Sequence, residues 1–286
     1  MTTERRQDEC VLITGAGSGI GAVMAQRFAA LGARVVIVDI DADAAERAAS
    51  QATGAIWFQA DVTDRGRLAE VFREVRDRRG PVSVLINNAM TCADADFLDL
   101  TVEEWKRDVS VCLTAAFHTA QLALPDMLAA GHGSIVNISS VNALQYLGNV
   151  SYSAAKAGLI SLTRSLAVRF GADGIRANAI VPGTIVTPAW DHRIAQDPHV
   201  LEDSRRWYPS TRLGRPEDVA DAAVFLTGSQ SGWINGESLI VHGGLMAGNV
   251  AMAAQIVPDE RSRGSSSAPL RRRSSWTSGA VPGRCR

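Results

Sequence analysis

CVLITGAGSGIGAVMAQRFAALG, residues 10 to 32, decides the fold. CVLIT (10–14) is an apolar run of strand length, GAGSGIG (15–21) follows it directly, and AVMAQRFAALG (22–32) carries a helical pattern. Strand, glycine loop and helix in that order open a dinucleotide-binding βαβ unit. Gly15, Gly17, Gly19 and Gly21 remove side chains where the backbone must turn tightly and approach a pyrophosphate, whose charge a helix N-terminus would meet. The candidate cofactor contacts in this turn are Gly15, Ser18, Gly19, Ile20 and Gly21. A second apolar run, RVVIVD (34–39), ends in Asp39, about 20 residues on, where a carboxylate would accept hydrogen bonds from an adenosine ribose. That carboxylate would repel a 2′-phosphate, and neither Ser18 nor Ile40 supplies a cation, so the expected cofactor is NAD rather than NADP.

Further out, apolar runs alternate with helical patterns: AIWFQ, VSVLIN, SIVNIS, IRANAIV and SLIVH follow the first two. Continuous apolar strands separated by helices predict a parallel sheet covered on both faces. The expected fold is therefore α/β, a single Rossmann-type doubly wound domain with a seven-stranded parallel sheet, over 1–257. Ligands on such sheets bind beyond the carboxyl ends of the strands, so Gly15, Asp39, Asp61, Asn88, Ser140 and Pro182 should converge on one crevice.

Tyr152 and Lys156 stand out next, because lysine occurs only at 106 and 156 while Lys and Arg together number 29. An ammonium is a compact point charge that can sit beside a phenol, which a planar guanidinium cannot do in the same space. Four residues apart on a helix, the two share a face, and the cation is expected to pull the tyrosine pKa down from about 10. That is a proton-transfer device.

At 286 residues with 46% hydrophobic content, the chain can bury a large core. It has no apolar stretch near the roughly 20 residues of a membrane span, and TTERRQDE is no secretory signal, so a cytoplasmic protein is expected. The four cysteines, Cys10, Cys92, Cys112 and Cys285, lack metal-ligand spacing, so no metal is expected. From 258 to 286 the sequence turns arginine- and serine-rich and is expected to be disordered. Seven arginines against Asp259 and Glu260 give this tail a formal +5, leaving about −6 for the remainder. LRRRSSW invites a nucleic-acid contact, but a solvated extension is the simpler reading.

These motifs together resemble the short-chain dehydrogenase/reductase family across residues 8 to 248. TGAGSGIG matches the cofactor glycine motif, INNA the central-strand motif, NISS the catalytic serine region, YSAAK the catalytic pair and IVPGTIVTP the nicotinamide-side loop. The resemblance implies that Tyr152 is general acid in ketone reduction and general base in alcohol oxidation. Lys156 would lower its pKa and bind the nicotinamide ribose, and Ser140 would hydrogen-bond the substrate oxygen. Asp61 and Val62 would frame the adenine, Asn88 and Ala89 line the cofactor backbone, and Pro182, Gly183, Ile185 and Thr187 form the loop that holds the carboxamide. The implied protein is an NAD(H)-dependent enzyme of secondary alcohols and ketones, assembled as a homotetramer.

Four positions depart from the family pattern. Cys112 stands where an asparagine usually anchors a water of the proton relay, and a thiol is a poor substitute for an amide. Met90 replaces a glycine, and His242 an aspartate. Ser140 lies one residue nearer Tyr152 than usual, leaving Ser139 as the alternative, although Ser140 ends the strand and can face the crevice. Cys112 and Met90 keep open an NAD-binding protein with weak or no catalysis. The segment 187–214, with Trp190, Trp207, Tyr208, Asp191, His192 and Arg193, would shape the substrate pocket for a sugar or polyol or, nearly as well, a cyclic ketone.

Overall fold

The seven expected strands form a single parallel sheet in the computed structural model, which describes residues 6–249 together with 252, 253 and 256. They are β1 (Cys10–Thr14), β2 (Arg34–Asp39), β3 (Ile56–Gln59), β4 (Val84–Asn87), β5 (Gly133–Ile138), β6 (Ile175–Pro182) and β7 (Ser238–Val241), in the order β3-β2-β1-β4-β5-β6-β7. Each neighbouring pair is parallel, with Val11 of β1 registered against Val35 on one side and Val84 on the other. The order reverses between β1 and β4, which opens a crevice at their carboxyl ends.

The helices are α1 (Gly19–Ala30), α2 (Ala42–Gln51), α3 (Arg65–Arg79), α4 (Val102–Val109), α5 (Ala115–Ala130), α6 (Val150–Phe170), α7 (Asp191–Gln196), α8 (Val200–Arg205) and α9 (Pro216–Thr227). Alternation along the strands divides the core into two layers. Val11, Ile13, Val35 and Ile37 face α1 and α9, where Phe28, Val219 and Ala223 are fully buried. Leu12, Val36, Val38 and Leu85 face the other way, onto Leu68 and Phe72 of α3 and Ala123 and Met127 of α5.

One local feature departs from the regular pattern. The helix from Val102 to Ala130 is continuous in αR backbone but passes through a π turn at Ser110–Thr114, with Cys112 at its centre. A π turn shifts the helical register by one residue, and such turns concentrate at functional sites.

Among the described residues no helix is long and apolar enough to cross a membrane. One compact unit runs to Met246 and contains the whole sheet; beyond it, 252, 253 and 256 are helical. The tail from 258 lies outside the described residues.

Candidate active site

The first half of the crevice is made by backbone. Asp41 caps α2 through Ala44 N, Asp64 caps α3 through Arg67 N, and Thr101 caps α4 through Glu104 N. α1 alone among these four starts with no side-chain cap, although Ser18 is at its N-cap, and its first turn holds no acidic residue either. Its N–H groups are thus left for an anion. The glycine turn in front of it leaves no room for side chains: a Cβ on Gly15 would meet Ala89 Cα at 2.7 Å, and one on Gly21 would meet Gly15 O at 2.4 Å. Asp39 ends β2 beside this turn. Its Oδ2 accepts from Gly17 N at 2.8 Å and its Oδ1 from Asp41 N at 3.1 Å, and a carboxylate has capacity for further donors. Ile40 next to it is 62% exposed and brings no charge. An uncapped helix start, a bare turn and a fixed carboxylate fit a dinucleotide.

The neighbouring candidates are placed at strand ends as expected, with more specific tasks. Asn88 Nδ2 donates to Thr14 O at 3.1 Å and to Gly15 O at 2.7 Å, so its side chain clamps the glycine turn. Ala89 N and Asn88 N both donate to Thr14 Oγ1. Asp61 Oδ1 is taken by Thr63 N and Oγ1, while Val62 is buried. Ile185 is also buried in the core, so only its backbone can face the crevice, and Thr187 lies against Gly19. Gly183 is held by Val241 and pressed between Tyr208 and His242.

At the other side of the crevice Ser140, Tyr152 and Lys156 come together. Ser139 is buried with its hydroxyl donating to Lys156 O at 2.9 Å, whereas the Ser140 hydroxyl donates to Asn142 Oδ1 at 3.1 Å, accepts from Asn142 N and acts on the Tyr152 phenol. Of the two serines, only Ser140 faces the tyrosine. Lys156, although 2% exposed, donates from Nζ to Ile138 O at 2.7 Å and lies 5.5 Å from the centre of the Tyr152 ring. The electrostatics reverse one expectation. Burial pushes the Tyr152 phenol above its ordinary value, negative charge at Cys112 would push the same way, and the Ser140 hydrogen bond pulls against both. Burial also lowers the pKa of Lys156 itself. Desolvation, not the neighbouring lysine, therefore sets the direction of the phenol's shift.

Cys112 is likewise pushed up by burial, so its thiol is protonated, and its Sγ donates to Thr91 O at 3.3 Å. Behind it, Asn87 Nδ2 donates to Asn137 Oδ1 at 2.8 Å, Thr119 Oγ1 to Asn87 Oδ1 at 2.6 Å, and Asn137 Nδ2 to Thr163 Oγ1 at 2.9 Å. This buried chain ties α5, β4, β5 and α6 into one block, a feature the sequence reading missed. Asp108 was missed too. Its signal was available: a carboxylate four residues before Cys112 falls on the buried side of a helix.

In the segment after β6, Tyr208 is buried, and its Oη accepts from Thr184 N at 2.6 Å. It supports the loop after β6, in place of the expected substrate contact. His242 Nδ1 accepts from Gly244 N at 3.1 Å, a structural bond. Arg193 bridges this segment to the crevice rim, donating to Asp94 Oδ1 at 2.8 Å and to Asn149 Oδ1 at 3.4 Å while stacking on Trp190. Trp207 and Met90 are exposed. Cys10, Cys92 and Cys112 are free thiols, and no metal-binding cluster occurs among the described residues.

Comparison with known proteins bears on the same region. Residues 15–246 match the family model described as enoyl-(acyl carrier protein) reductase. An uncharacterised oxidoreductase of Schizosaccharomyces pombe is 46% identical, covering 90% of this chain and 96% of its own. The cis-4-hydroxycyclohexanecarboxylate dehydrogenase of Sinomonas cyclohexanicum is 39% identical, covering 84% and 97%. The crystal structure of a short-chain dehydrogenase/reductase family oxidoreductase from Burkholderia thailandensis superposes with a TM-score of 0.82 at 41% identity, covering 87% and 96%. The motifs, the strand order and these matches agree, and the chain belongs to the short-chain dehydrogenase/reductase family of oxidoreductases.

Proposed function

We propose that the protein is an NAD(H)-dependent oxidoreductase that interconverts a secondary alcohol and a ketone. The observation that carries this is the grouping of Ser140, the Tyr152 phenol and a buried Lys156, whose Nζ lies 5.5 Å from the centre of the Tyr152 ring, at the carboxyl edge of the sheet. NAD supplies the hydride acceptor when bound, and NADH the donor. Tyr152 takes the alcohol proton at its phenol oxygen in oxidation and returns it in reduction. Ser140 hydrogen-bonds the substrate oxygen and favours the phenolate. Lys156 lies beneath the ring and would hold the nicotinamide ribose. Asp39 accepts from the adenosine ribose, Gly15, Ser18, Gly19, Ile20 and Gly21 bind the pyrophosphate, and Asp61 with Val62 flanks the adenine. Asn88 and Ala89 shape the turn, and Pro182, Gly183, Ile185 and Thr187 border the nicotinamide. The protein acts in the cytoplasm as a homotetramer on this reading.

The test has two stages. NADH and NADPH are titrated side by side by fluorescence, with NADH expected to bind at least ~10-fold more tightly, a difference of about 1.4 kcal/mol. A panel of secondary alcohols, cyclic and acyclic and including cis-4-hydroxycyclohexanecarboxylate, is then assayed with NAD. NADPH preference overturns the Asp39 role, and binding without turnover of any alcohol favours the second reading.

That second reading is an NAD-binding protein with weak catalysis. It is supported by the Cys112 thiol, which is engaged by Thr91 O and offers no amide to a water. Cys112→Asn separates the two: a large gain in turnover marks the natural site as compromised, and a loss marks the thiol as part of a working arrangement.

A further inference from the structure

Asp108 lies at the end of α4 with 2% exposure, and none of the chemistry assigned above uses it. Burying a carboxylate is costly unless donors replace its water. Here three neutral donors do so. Thr91 Oγ1 donates to Oδ1 at 2.9 Å, while Ala93 N at 3.0 Å and Ser151 Oγ at 2.5 Å donate to Oδ2. The shortest has the length of a charge-assisted O–H···O⁻ bond.

Each donor leads to the reacting end of the crevice. Ser151 immediately precedes Tyr152 in the first turn of α6. Thr91 carries the carbonyl that accepts the Cys112 thiol. Ala93 O accepts from Asn149 Nδ2 at 2.9 Å, and Asn149, with φ of 51°, is the N-cap of α6 and a partner of Arg193. One carboxylate thus joins α4, the segment after β4 and the start of the helix that bears the tyrosine.

We propose that Asp108 is a positioning residue of the reaction, whose carboxylate fixes the first turn of α6, and with it the Tyr152 phenol, against the segment 91–93. It acts through Ser151 and Thr91. The proposal rests on Tyr152 being the acid and base of the reaction. A misplacement of about 1 Å in a reacting group costs on the order of 100-fold in rate, so small slack at this joint matters. The charge acts on the phenol as well. Facing Tyr152 are Lys156 from α6, Cys112 from the π turn, Cys92 from the segment after β4 and Ser140 after β5, with Asp108 from α4 opposing the phenolate. Removing that charge lowers the phenol's pKa, which loss of a merely structural bond does not do.

Wild type, Asp108→Asn, Ser151→Ala and Tyr152→Phe are compared on the best substrate of the alcohol panel, with NADH binding and thermal melts measured on each. Asp108→Asn is expected to keep NADH affinity within about twofold and KM within about threefold, while kcat falls roughly 30-fold or more. The acid limb of its kcat profile for oxidation moves to lower pH. Ser151→Ala keeps the other two donors and loses about fivefold in kcat. Asp108→Asn with wild-type kcat, or with an unmoved acid limb, overturns the proposal. Should that variant fail to fold, Ser151→Ala decides, and wild-type kcat there overturns it equally. Tyr152→Phe separates the two levels: full activity in it removes the acid and base reading together with this proposal, whereas an inactive Tyr152→Phe beside a normal Asp108→Asn removes the Asp108 role alone.

Discussion

The two sides of the crevice are built from different materials. Between residues 10 and 86 Thr14 is the sole buried polar residue, and everything the glycine-turn side presents is backbone, a helix start or the exposed edge of a carboxylate. From Asn87 to Asn178 the interior is threaded with Asp108, Asn137, Ser151, Lys156 and Thr163, all hydrogen-bonded. The first side presents fixed dipoles to a ligand of constant charge, and short-range geometry suffices. On the proposed function the second holds a proton that must move, which requires titratable groups kept out of water at set distances, and only long-range hydrogen bonds supply that.

The contrast breaks most sharply at Tyr152. Tyr152→Phe should lower kcat by about 10³-fold while leaving NADH binding within about twofold, as rates and fluorescence titration will record. Next in size, Gly17→Ala places a Cβ 2.9 Å from both Asp39 Oδ2 and Ala44 Cβ. Its NADH Kd should rise at least ~10-fold, and unaltered affinity would show that this turn is less rigid than its contacts imply. The same logic gives Asp39→Asn a more modest effect, a preference for NADH over NADPH reduced by about tenfold, or 1.4 kcal/mol.

A change of pH sharpens the comparison without mutation. Burial raises the Tyr152 phenol, so the proton-accepting phenolate is scarce at neutral pH and its fraction grows as pH rises. Alcohol oxidation should therefore accelerate from pH 7 towards alkaline pH and ketone reduction should not, while NADH affinity stays level. A flat oxidation profile would place the working pKa elsewhere. The smallest effect belongs to the surface. Asp218, held below the usual carboxylate range first by its hydrogen bond from Arg212, also accepts from Arg215 N at the start of α9. Its stabilisation is present above the unfolded pKa and is lost as pH falls through the lower folded value. Asp218→Ala should cost about 1 kcal/mol at pH 7, read as a melting shift of a few degrees, with kcat unchanged.

Legibility divides along the same line. The seven strands are short runs of four to eight residues, and the turn and Asp39 fall between residues 10 and 39, so apolar runs and glycines carry the information locally. The sequence favours Ser140 over Ser139 as the residue ending the strand, but β5 stops at Ile138 and both serines follow it, Ser139 with its hydroxyl turned to Lys156 O. The π turn was not legible, because VSVCLT has the composition of ordinary helix and the register shift depends on what packs around Cys112. The Asp108 joint was legible only in part: its spacing from Cys112 marks the buried face, but its partners lie 15, 17 and 43 residues away and nothing in WKRDV names them. The pKa of Tyr152 moved opposite to expectation because proximity of a lysine is visible in spacing, whereas desolvation emerges only from the packed whole.

The scarcity of lysine has a practical corollary. With two ε-amines, one exposed at Lys106 and one sealed at Lys156, acylating reagents sort the pair without any engineering. Lys106 reports the reagent's activity, and labelling at Lys156 then reads how often its buried amine is opened to solvent. Protection of that one amine by NADH, resolved by mass spectrometry, would turn the enzyme's own composition into a footprint of cofactor residence.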